Sequence, residues 1–162
     1  MRCKLLWSKY NKGGYQKAMN KQVLVSIVTP SFNQAGFLAR TIESVLAQTY
    51  PNIQYIIMDG GSSDDSLDII KKYGKKISYF ESQKDLGQTD ALNKGFAHAD
   101  GEIFAWLNAD DTYLPHAVLR AVEVLQSNPD LGLVYGDANY IDANDRVIGT
   151  FPAAQTDYVR LK

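Results

Sequence analysis

Residues 103–111, Ile103-Phe104-Ala105-Trp106-Leu107-Asn108-Ala109-Asp110-Asp111, change from apolar to acidic within a few positions. The apolar part, residues 103–107, predicts a short buried strand that ends at an amide and two carboxylates. Carboxylates at the end of a buried strand are costly unless positive charge lies against them. A divalent cation carrying a diphosphate would supply that charge, because Mg²⁺ takes oxygen ligands and shares its shell with phosphates. Alternatively, Asp110 and Asp111 only cap the next helix, since Asp is a preferred N-cap residue.

Length and charge limit the classes of protein to which this chain can belong. Its 162 residues suffice for one domain with a real core. The formal net charge is -1, but residues 1–21 hold six of the 17 basic residues and no acid. The remainder therefore carries 11 basic against 18 acidic residues, a charge of about -7. Nucleic acid binding depends on neutralising phosphates, so we expect no nucleic acid partner.

The first 21 residues predict a basic tail, either solvated or in contact with an anionic membrane or partner. Its apolar cluster, Leu5-Leu6-Trp7, is too short for a signal-peptide core or a membrane span. Cys3 is the only cysteine, which rules out an internal disulfide and fits a reducing compartment. We therefore expect a cytoplasmic protein, or one at the inner face of the membrane.

Predicted strands and helices alternate along the rest of the chain. The strands are predicted at residues 23–29, 53–58, 77–80, 103–107, 132–139 and 147–151, and the helices at residues 36–47, 66–73, 88–99 and from Pro115 to Asn128. This alternation predicts an α/β fold with a mostly parallel sheet flanked by helices. We divide the chain into a basic tail (1–21), one domain (22–152) and an unpatterned tail (153–162).

Polar clusters follow three predicted strands, at residues 30–33, 59–63 and 108–111. Open parallel sheets bind ligands outside the carboxyl ends of their strands, so these clusters should gather at one edge and form a site. Asp59 stands where doubly wound folds place an acid that accepts hydrogen bonds from a nucleoside, and Gly60 lets a ligand approach the backbone. A tight strand-to-helix loop with capping residues is an equal alternative.

The segment 85–95 is polar at the start of a predicted helix. Gly87 and Gln88 are candidates for backbone N–H groups that face an anion, and Lys94 for a cation that offsets phosphate charge. A capped, solvated helix face is the alternative. No Walker-type phosphate loop and no Gly-x-Gly-x-x-Gly after a strand occur. His98 and His116 lack partners at metal-ligand spacing, so no zinc site is expected.

Taken in order, these motifs resemble those of family 2 glycosyltransferases. The resemblance covers roughly residues 23–137 and rests on residues 25–33, 41–52, 58–64, 87–95 and 107–111. It implies a GT-A fold, a nucleotide-diphosphate sugar donor, Mg²⁺ or Mn²⁺, and inverting transfer to an acceptor hydroxyl, as in polysaccharide or cell-envelope glycan biosynthesis.

By position, the resemblance also assigns roles to residues. The implied donor-binding residues are Pro30, Phe32, Asn33, Asp59, Gly60, Gly87, Asn108 and Asp110. Asp110 and Asp111 occupy the metal region of the family's Asp-x-Asp motif. Asn108 stands where many relatives carry the first Asp. It would therefore contribute an amide oxygen or contact the residues that bind the metal.

The catalytic base stays unassigned. In the family it is an Asp or Glu far downstream, and none of the roughly fifty residues after Asp111 is a convincing candidate. We therefore expect a donor-binding half whose acceptor part is missing, with a glycan or lipid-linked acceptor and with self-association through uncovered apolar surface. The alternatives are a non-catalytic nucleotide-sugar binding or interaction module and a nucleotidyltransferase. The last needs a Gly-rich basic loop, which Phe32-Asn33-Gln34 does not supply.

Overall fold

The computed structural model describes residues 22–142 and 146–153, together with the backbone of residues 2–4. One four-stranded sheet consists of β2 (Val25–Ser31), β3 (Ile53–Asp59), β4 (Tyr79–Ser82) and β5 (Ile103–Trp106). The second consists of β1 (Arg2–Lys4), β6 (Thr112–Tyr113), β7 (Asp137–Ile141) and β8 (Val147–Phe151). The helices are α1 (Ala35–Leu46), α2 (Ser66–Tyr73), α3 (Gln88–Ala97) and α4 (Ala117–Ser127).

The first sheet is parallel throughout, in the order β4-β3-β2-β5. Every residue of β2 is buried, as expected for a β-branched strand that is covered on both faces. The register runs from Val25 opposite Ile53 to Ser31 opposite Asp59, so β2 and β3 end at the same edge of the sheet. The predicted parallel sheet flanked by helices is confirmed.

Helices cover both faces of the parallel sheet. Ile27 and Ile57 pack in a core that also includes residues of α1, α2 and α4. Val28 packs in a second core with Ala91 of α3. Successive side chains of a strand point to opposite faces, which separates the two cores. Gly95 permits the close approach of α3 to β2, because a Cβ at this position would lie 2.4 Å from Val28 Cγ1.

The predicted fifth strand differs from the strand in the structure, which belongs to the second sheet. We predicted a strand at residues 132–139, but β7 begins at Asp137 and pairs antiparallel with β8 and β1, outside the parallel sheet. Leu133 and Tyr135 are 69% and 48% exposed in a segment without strand pairing. An apolar run becomes a strand only where another strand accepts its hydrogen bonds, which composition does not reveal.

Two further features bear on the predictions. Arg2–Lys4, within the predicted basic tail, pairs parallel with β6 and antiparallel with β7. The other residues of that tail, like residues 154–162, lie outside the described part of the chain. Within the described part, no helix combines the length and the apolar character needed to cross a membrane.

Candidate functional site

A cleft of about 550 Å³ lies at the carboxyl ends of the parallel strands. Its lining comes from the end of β2, the segments that follow the four strands, and the first turns of α3: Pro30, Ser31, Phe32, Gln34, Gly60, Lys84, Asp85, Gly87, Gln88, Ala91, Asn108, Ala109 and Asp110. The predicted polar clusters therefore do gather at one edge of the sheet. Six of the predicted site residues line the cleft, namely Pro30, Phe32, Gly60, Gly87, Asn108 and Asp110.

The wall formed by the end of β2 combines an apolar ring with an unpaired hydroxyl. Phe32 is 59% exposed. Ser31 is only 5% exposed, and its Oγ has no hydrogen-bond partner among the described residues. A buried polar atom left unpaired costs roughly 1–3 kcal/mol, so Ser31 Oγ is available for a hydrogen bond to a polar group in the cleft. Ser31 lies in the predicted polar cluster 30–33 but is not among the predicted donor-binding residues, although it directly precedes Phe32.

Asn33 joins the segment after β2 to the segment after β3. Its φ of 52° is in the left-handed region, which Asn tolerates better than most residues. Its backbone N–H donates to Ser62 Oγ at 2.8 Å, and its Oδ1 accepts from the Ser63 N–H at 2.9 Å. Asn33 does not line the cleft. Its contact with a donor stays a prediction.

Asp59 is buried, with 2% exposure, and its carboxylate is hydrogen-bonded within the protein. Oδ2 accepts from the Ser62 N–H at 3.0 Å and from Ser82 Oγ at 2.6 Å, and Oδ1 accepts from Ser62 Oγ. These bonds connect the end of β3 to the loop that follows it and to the end of β4. Asp59 does not line the cleft, whereas the adjacent Gly60 does. A direct contact of Asp59 with a nucleoside stays a prediction.

Glycines shape the segment between β4 and α3. A Cβ at Gly60 would lie 2.8 Å from Asp85 Oδ2, so a larger residue would displace that carboxylate. Gly87 has a φ of 107°, which favours glycine, and its N–H donates to Asp85 Oδ1 at 2.8 Å. The Gly87 N–H is therefore occupied by Asp85 instead of facing an anion.

The lysine that lines the cleft is Lys84, not Lys94, which we predicted as the cation that offsets phosphate charge. Lys94 forms an ion pair with Asp90, with 2.8 Å between Nζ and Oδ2, and does not line the cleft. The hydrogen bond to Asp90 raises the pKa of Lys94, and the same bond lowers the pKa of Asp90. Lys84 lines the cleft and forms no ion pair with any described residue. Its place just after a parallel strand was the signal that would have identified it.

The acidic loop (residues 107–111) follows β5. Asp110 is exposed, lines the cleft, and its carboxylate makes no hydrogen bond to a described residue. Asp111 is half-buried and does not line the cleft; its Oδ2 accepts from Asn108 Nδ2 at 3.2 Å. Asn108 Oδ1 accepts from Gln88 Nε2 at 2.6 Å. The structure thus places Asn108 and Asp110 in the cleft and directs Asp111 toward Asn108.

The acidic loop does not form a complete metal cage. Within the described residues, no group of three His, Cys, Asp or Glu side chains is placed to hold a metal ion. The available donors are the Asp110 carboxylate and the oxygens of its neighbours. This set fits Mg²⁺ or Mn²⁺ that shares its coordination with phosphates, because such ions are held by one or two carboxylates together with the substrate.

A parallel sheet with helices on both faces and a polar cleft at its strand ends defines an open-sheet α/β protein. Residues 26–156 match the family described as Glycosyl transferase family 2, and the chain belongs to this family.

The chain is 41% identical over 128 residues to an uncharacterized glycosyltransferase of Nostoc sp., a match that covers 76% of this chain and 39% of the relative. It is 36% identical over 137 residues to an uncharacterized glycosyltransferase of Mycobacterium tuberculosis, covering 83% of this chain and 52% of the relative. The chain therefore spans about two fifths to one half of the length of these relatives.

Two solved structures share the fold. The mannosyltransferase PcManGT from Pyrobaculum calidifontis, in complex with GDP-Man and Mn²⁺, superposes with a TM-score of 0.61 at 19% identity, over 78% of this chain and 38% of that one. Staphylococcus aureus TarS 1–349, in complex with UDP-GlcNAc, has a TM-score of 0.61 at 20% identity, over 65% of this chain and 32% of that one. The likeness confirms the predicted GT-A fold.

Proposed function

We propose that the cleft binds the nucleotide-diphosphate part of a sugar donor together with a divalent cation. The sugar would then pass to an acceptor hydroxyl with inversion. The observation that carries the proposal is a polar cleft at the strand ends in which the buried Ser31 Oγ has no partner within the described part of the chain. The volume of about 550 Å³ is typical of a small-molecule site. The complexes of PcManGT with GDP-Man and of TarS with UDP-GlcNAc support this choice of ligand.

The nucleoside would occupy the wall near the end of β2. The exposed ring of Phe32 offers a flat apolar surface for a base, and Ser31 Oγ offers a hydrogen bond to a polar group beside it. Gly60, whose N–H donates to the Ser31 carbonyl oxygen at 2.8 Å, leaves the adjoining wall without a side chain. Asp59 keeps that wall in place through Ser62 and Ser82, and we keep it as a predicted nucleoside-binding residue.

The diphosphate would lie between the acidic loop and Lys84. Asp110 would hold the cation, with a second oxygen from the pair of Asn108 and Asp111. When bound, the cation would stabilise the negative charge that grows on the leaving diphosphate. The Lys84 ammonium would add positive charge at the rim of the same cleft, where it has no competing ion pair with a described residue.

Calorimetric titration of the chain with UDP, GDP, UDP-GlcNAc and GDP-Man, each with Mn²⁺ and with EDTA, tests this proposal. We expect at least one nucleotide to bind about tenfold more tightly with Mn²⁺, a gain of about 1.4 kcal/mol. Asp110→Asn should remove that gain. The matched control is Asp130→Asn, an exposed acid outside the cleft, which should bind like the wild type.

Two outcomes would reject the proposed site: no nucleotide bound in the presence of Mn²⁺, or an Asp110→Asn variant with unchanged Mn²⁺ dependence. Donor hydrolysis is measured in the same samples. Turnover would show that the chain catalyses, whereas tight binding without turnover would favour the non-catalytic binding module.

A further inference from the structure

Gln88, Asn108 and Asp111 form a directional chain of hydrogen bonds from the cleft to the half-buried side of the acidic loop. Gln88 Nε2 donates to Asn108 Oδ1 at 2.6 Å, and Asn108 Nδ2 donates to Asp111 Oδ2 at 3.2 Å. Gln88 and Asn108 line the cleft, whereas Asp111 does not. The backbone adds a further contact, because the Asp111 N–H donates to the Asn108 carbonyl oxygen at 3.1 Å.

The chemistry of the three groups determines the direction of this chain. An ionised carboxylate only accepts hydrogen bonds, so the end of the Asn108 carboxamide that meets Asp111 must be the NH₂ group. The oxygen of Asn108 is then at the other end, toward Gln88 and the cleft. A carboxamide oxygen has two lone pairs, so it accepts from Gln88 and still has one for a ligand.

We propose that Asp111 is a positioning residue that acts through Asn108 and does not itself bind the cation. It fixes the Asn108 carboxamide with the oxygen toward the cleft, so that Asn108 and Asp110 are the two residues that present oxygen to the cation and diphosphate. The inference rests on the proposed function and replaces Asp111 by Asn108 as the second oxygen donor.

The burial of the loop supports this division of roles. Leu107 and Ala109 are 6% and 3% exposed and pack in the core, which leaves the intervening Asn108 and the following Asp110 on the cleft side. Thr41 Oγ1, which is fully buried, lies within hydrogen-bond distance of the Ala109 and Asp111 carbonyl oxygens and holds the backbone in this arrangement. With the loop backbone held, reversal of the Asn108 carboxamide is the motion that Asp111 prevents.

A double-mutant cycle tests whether Asp111 acts through Asn108. The variants are Asp111→Asn, Asn108→Ala and the two combined, and the readout is the affinity for UDP and GDP with Mn²⁺ and with EDTA. We expect each single variant to lose about threefold of the Mn²⁺-dependent affinity, the value of one oriented hydrogen bond, which is less than the roughly tenfold gain that Asp110→Asn removes. The combined variant should lose no more affinity than the single variant that binds less tightly, because both substitutions act on the same carboxamide.

The exchange Asn108→Asp with Asp111→Asn is the rescue experiment. A carboxylate at position 108 presents oxygen whichever way it rotates, and an amide at position 111 can donate to it. We expect this double variant to bind with Mn²⁺ within about threefold of the wild type, a difference of under 1 kcal/mol. Thermal unfolding without ligand is the control for a purely structural effect. Such an effect would lower the stability of a variant without changing the ratio of its affinities with and without Mn²⁺.

Additive losses in the cycle, together with an Asp111→Asn defect as large as that of Asp110→Asn and no rescue by the exchange, would overturn the inference. They would show that Asp111 binds the cation itself. These results leave the proposed function intact, because the wild type still binds nucleotide with Mn²⁺. A wild type without Mn²⁺-dependent binding would instead reject the proposed function and the inference with it.

Discussion

The hydroxyl of Thr41, on the buried side of α1, lies 2.8 Å from the backbone carbonyl oxygen of Asp111. The same Oγ1 is 2.7 Å from the Ala109 carbonyl oxygen, and Thr41 is fully buried. A helix that precedes the acidic loop by about seventy residues therefore determines where the loop lies.

Removal of this hydroxyl should loosen the acidic loop. We expect Thr41→Val, which preserves the shape of the side chain, to lower the free energy of unfolding by about 1–3 kcal/mol, because buried carbonyl oxygens lose a donor. Mn²⁺-dependent nucleotide binding should weaken with it. Urea unfolding and calorimetry measure the two effects. Thr41→Ser keeps the hydroxyl and is the control; equal losses in both variants would contradict the assigned role of the hydrogen bond.

Two serines of β2 should respond in opposite ways to the loss of their hydroxyls. Ser26 Oγ donates to Gln54 Oε1 at 2.6 Å and accepts from the Gly101 N–H at 2.9 Å, whereas Ser31 Oγ has no partner among the described residues. We expect Ser26→Ala to destabilise the fold by about 1–3 kcal/mol, and Ser31→Ala to leave the stability unchanged or raise it by up to about 1 kcal/mol.

Ligand binding should show the reverse order for these two variants. Ser31→Ala should weaken nucleotide binding about three- to tenfold, the value of one hydrogen bond, and Ser26→Ala should leave it unchanged. Denaturant unfolding and calorimetric titration give both quantities. A Ser31→Ala variant that is destabilised but binds normally would mean that the hydroxyl serves the fold and not a ligand.

The stability of the loop after β3 should depend on acid pH through Asp64. Hydrogen bonds from Ser66 and from the Ala35 N–H, which lies 2.9 Å from Oδ2, lower the pKa of Asp64 below its ordinary value of 3.8. Because the folded pKa is the lower one, the ionised carboxylate stabilises the fold above pH 3.8, and this contribution disappears as the pH falls through the folded pKa.

We therefore expect the wild type to be more stable than Asp64→Asn at neutral pH, by an amount that stays constant down to about pH 5 and then shrinks. Urea unfolding at a series of pH values measures the difference. Asp130→Asn is the control, because Asp130 makes no hydrogen bond to a described residue. A difference that grows toward low pH would contradict the lowered pKa.

Gly95 and Gly36 form a matched pair on two helices. A Cβ at Gly95 would meet Val28 at 2.4 Å, whereas a Cβ at Gly36 would meet nothing within 4 Å. We expect Gly95→Ala to destabilise the protein by about 1–3 kcal/mol through overpacking, and Gly36→Ala to stabilise it by about 0.5–1 kcal/mol through lower backbone entropy in the unfolded chain. Thermal unfolding distinguishes them. Equal effects would mean that α3 does not contact β2 as closely as described.

The predictions that depended on periodicity were the accurate ones. The continuous apolar run of β2 and the apolar stripe of α1 are local properties, and both elements lie within two residues of their predicted limits. The strand predicted at residues 132–139 was wrong over residues 132–136, because strand formation there depends on a non-local partner. Its apolar residues resemble those of a buried strand, but which strand they pair with is a non-local property.

By itself, the sequence determined the alternation of strands and helices, and therefore the edge of the sheet at which Pro30, Gly60, Asn108 and Asp110 meet. Chain order suffices for this, because parallel strands joined by helices must end on the same side. Only the tertiary structure decided which polar groups are already satisfied. Asp59 is hydrogen-bonded to serines, Lys94 is paired with Asp90, and Asp111 is hydrogen-bonded to Asn108, whereas the Ser31 hydroxyl has no partner among the residues that the structure describes. A hydrogen bond depends on distances of about 3 Å between atoms far apart in the chain, and residue spacing alone does not fix such distances.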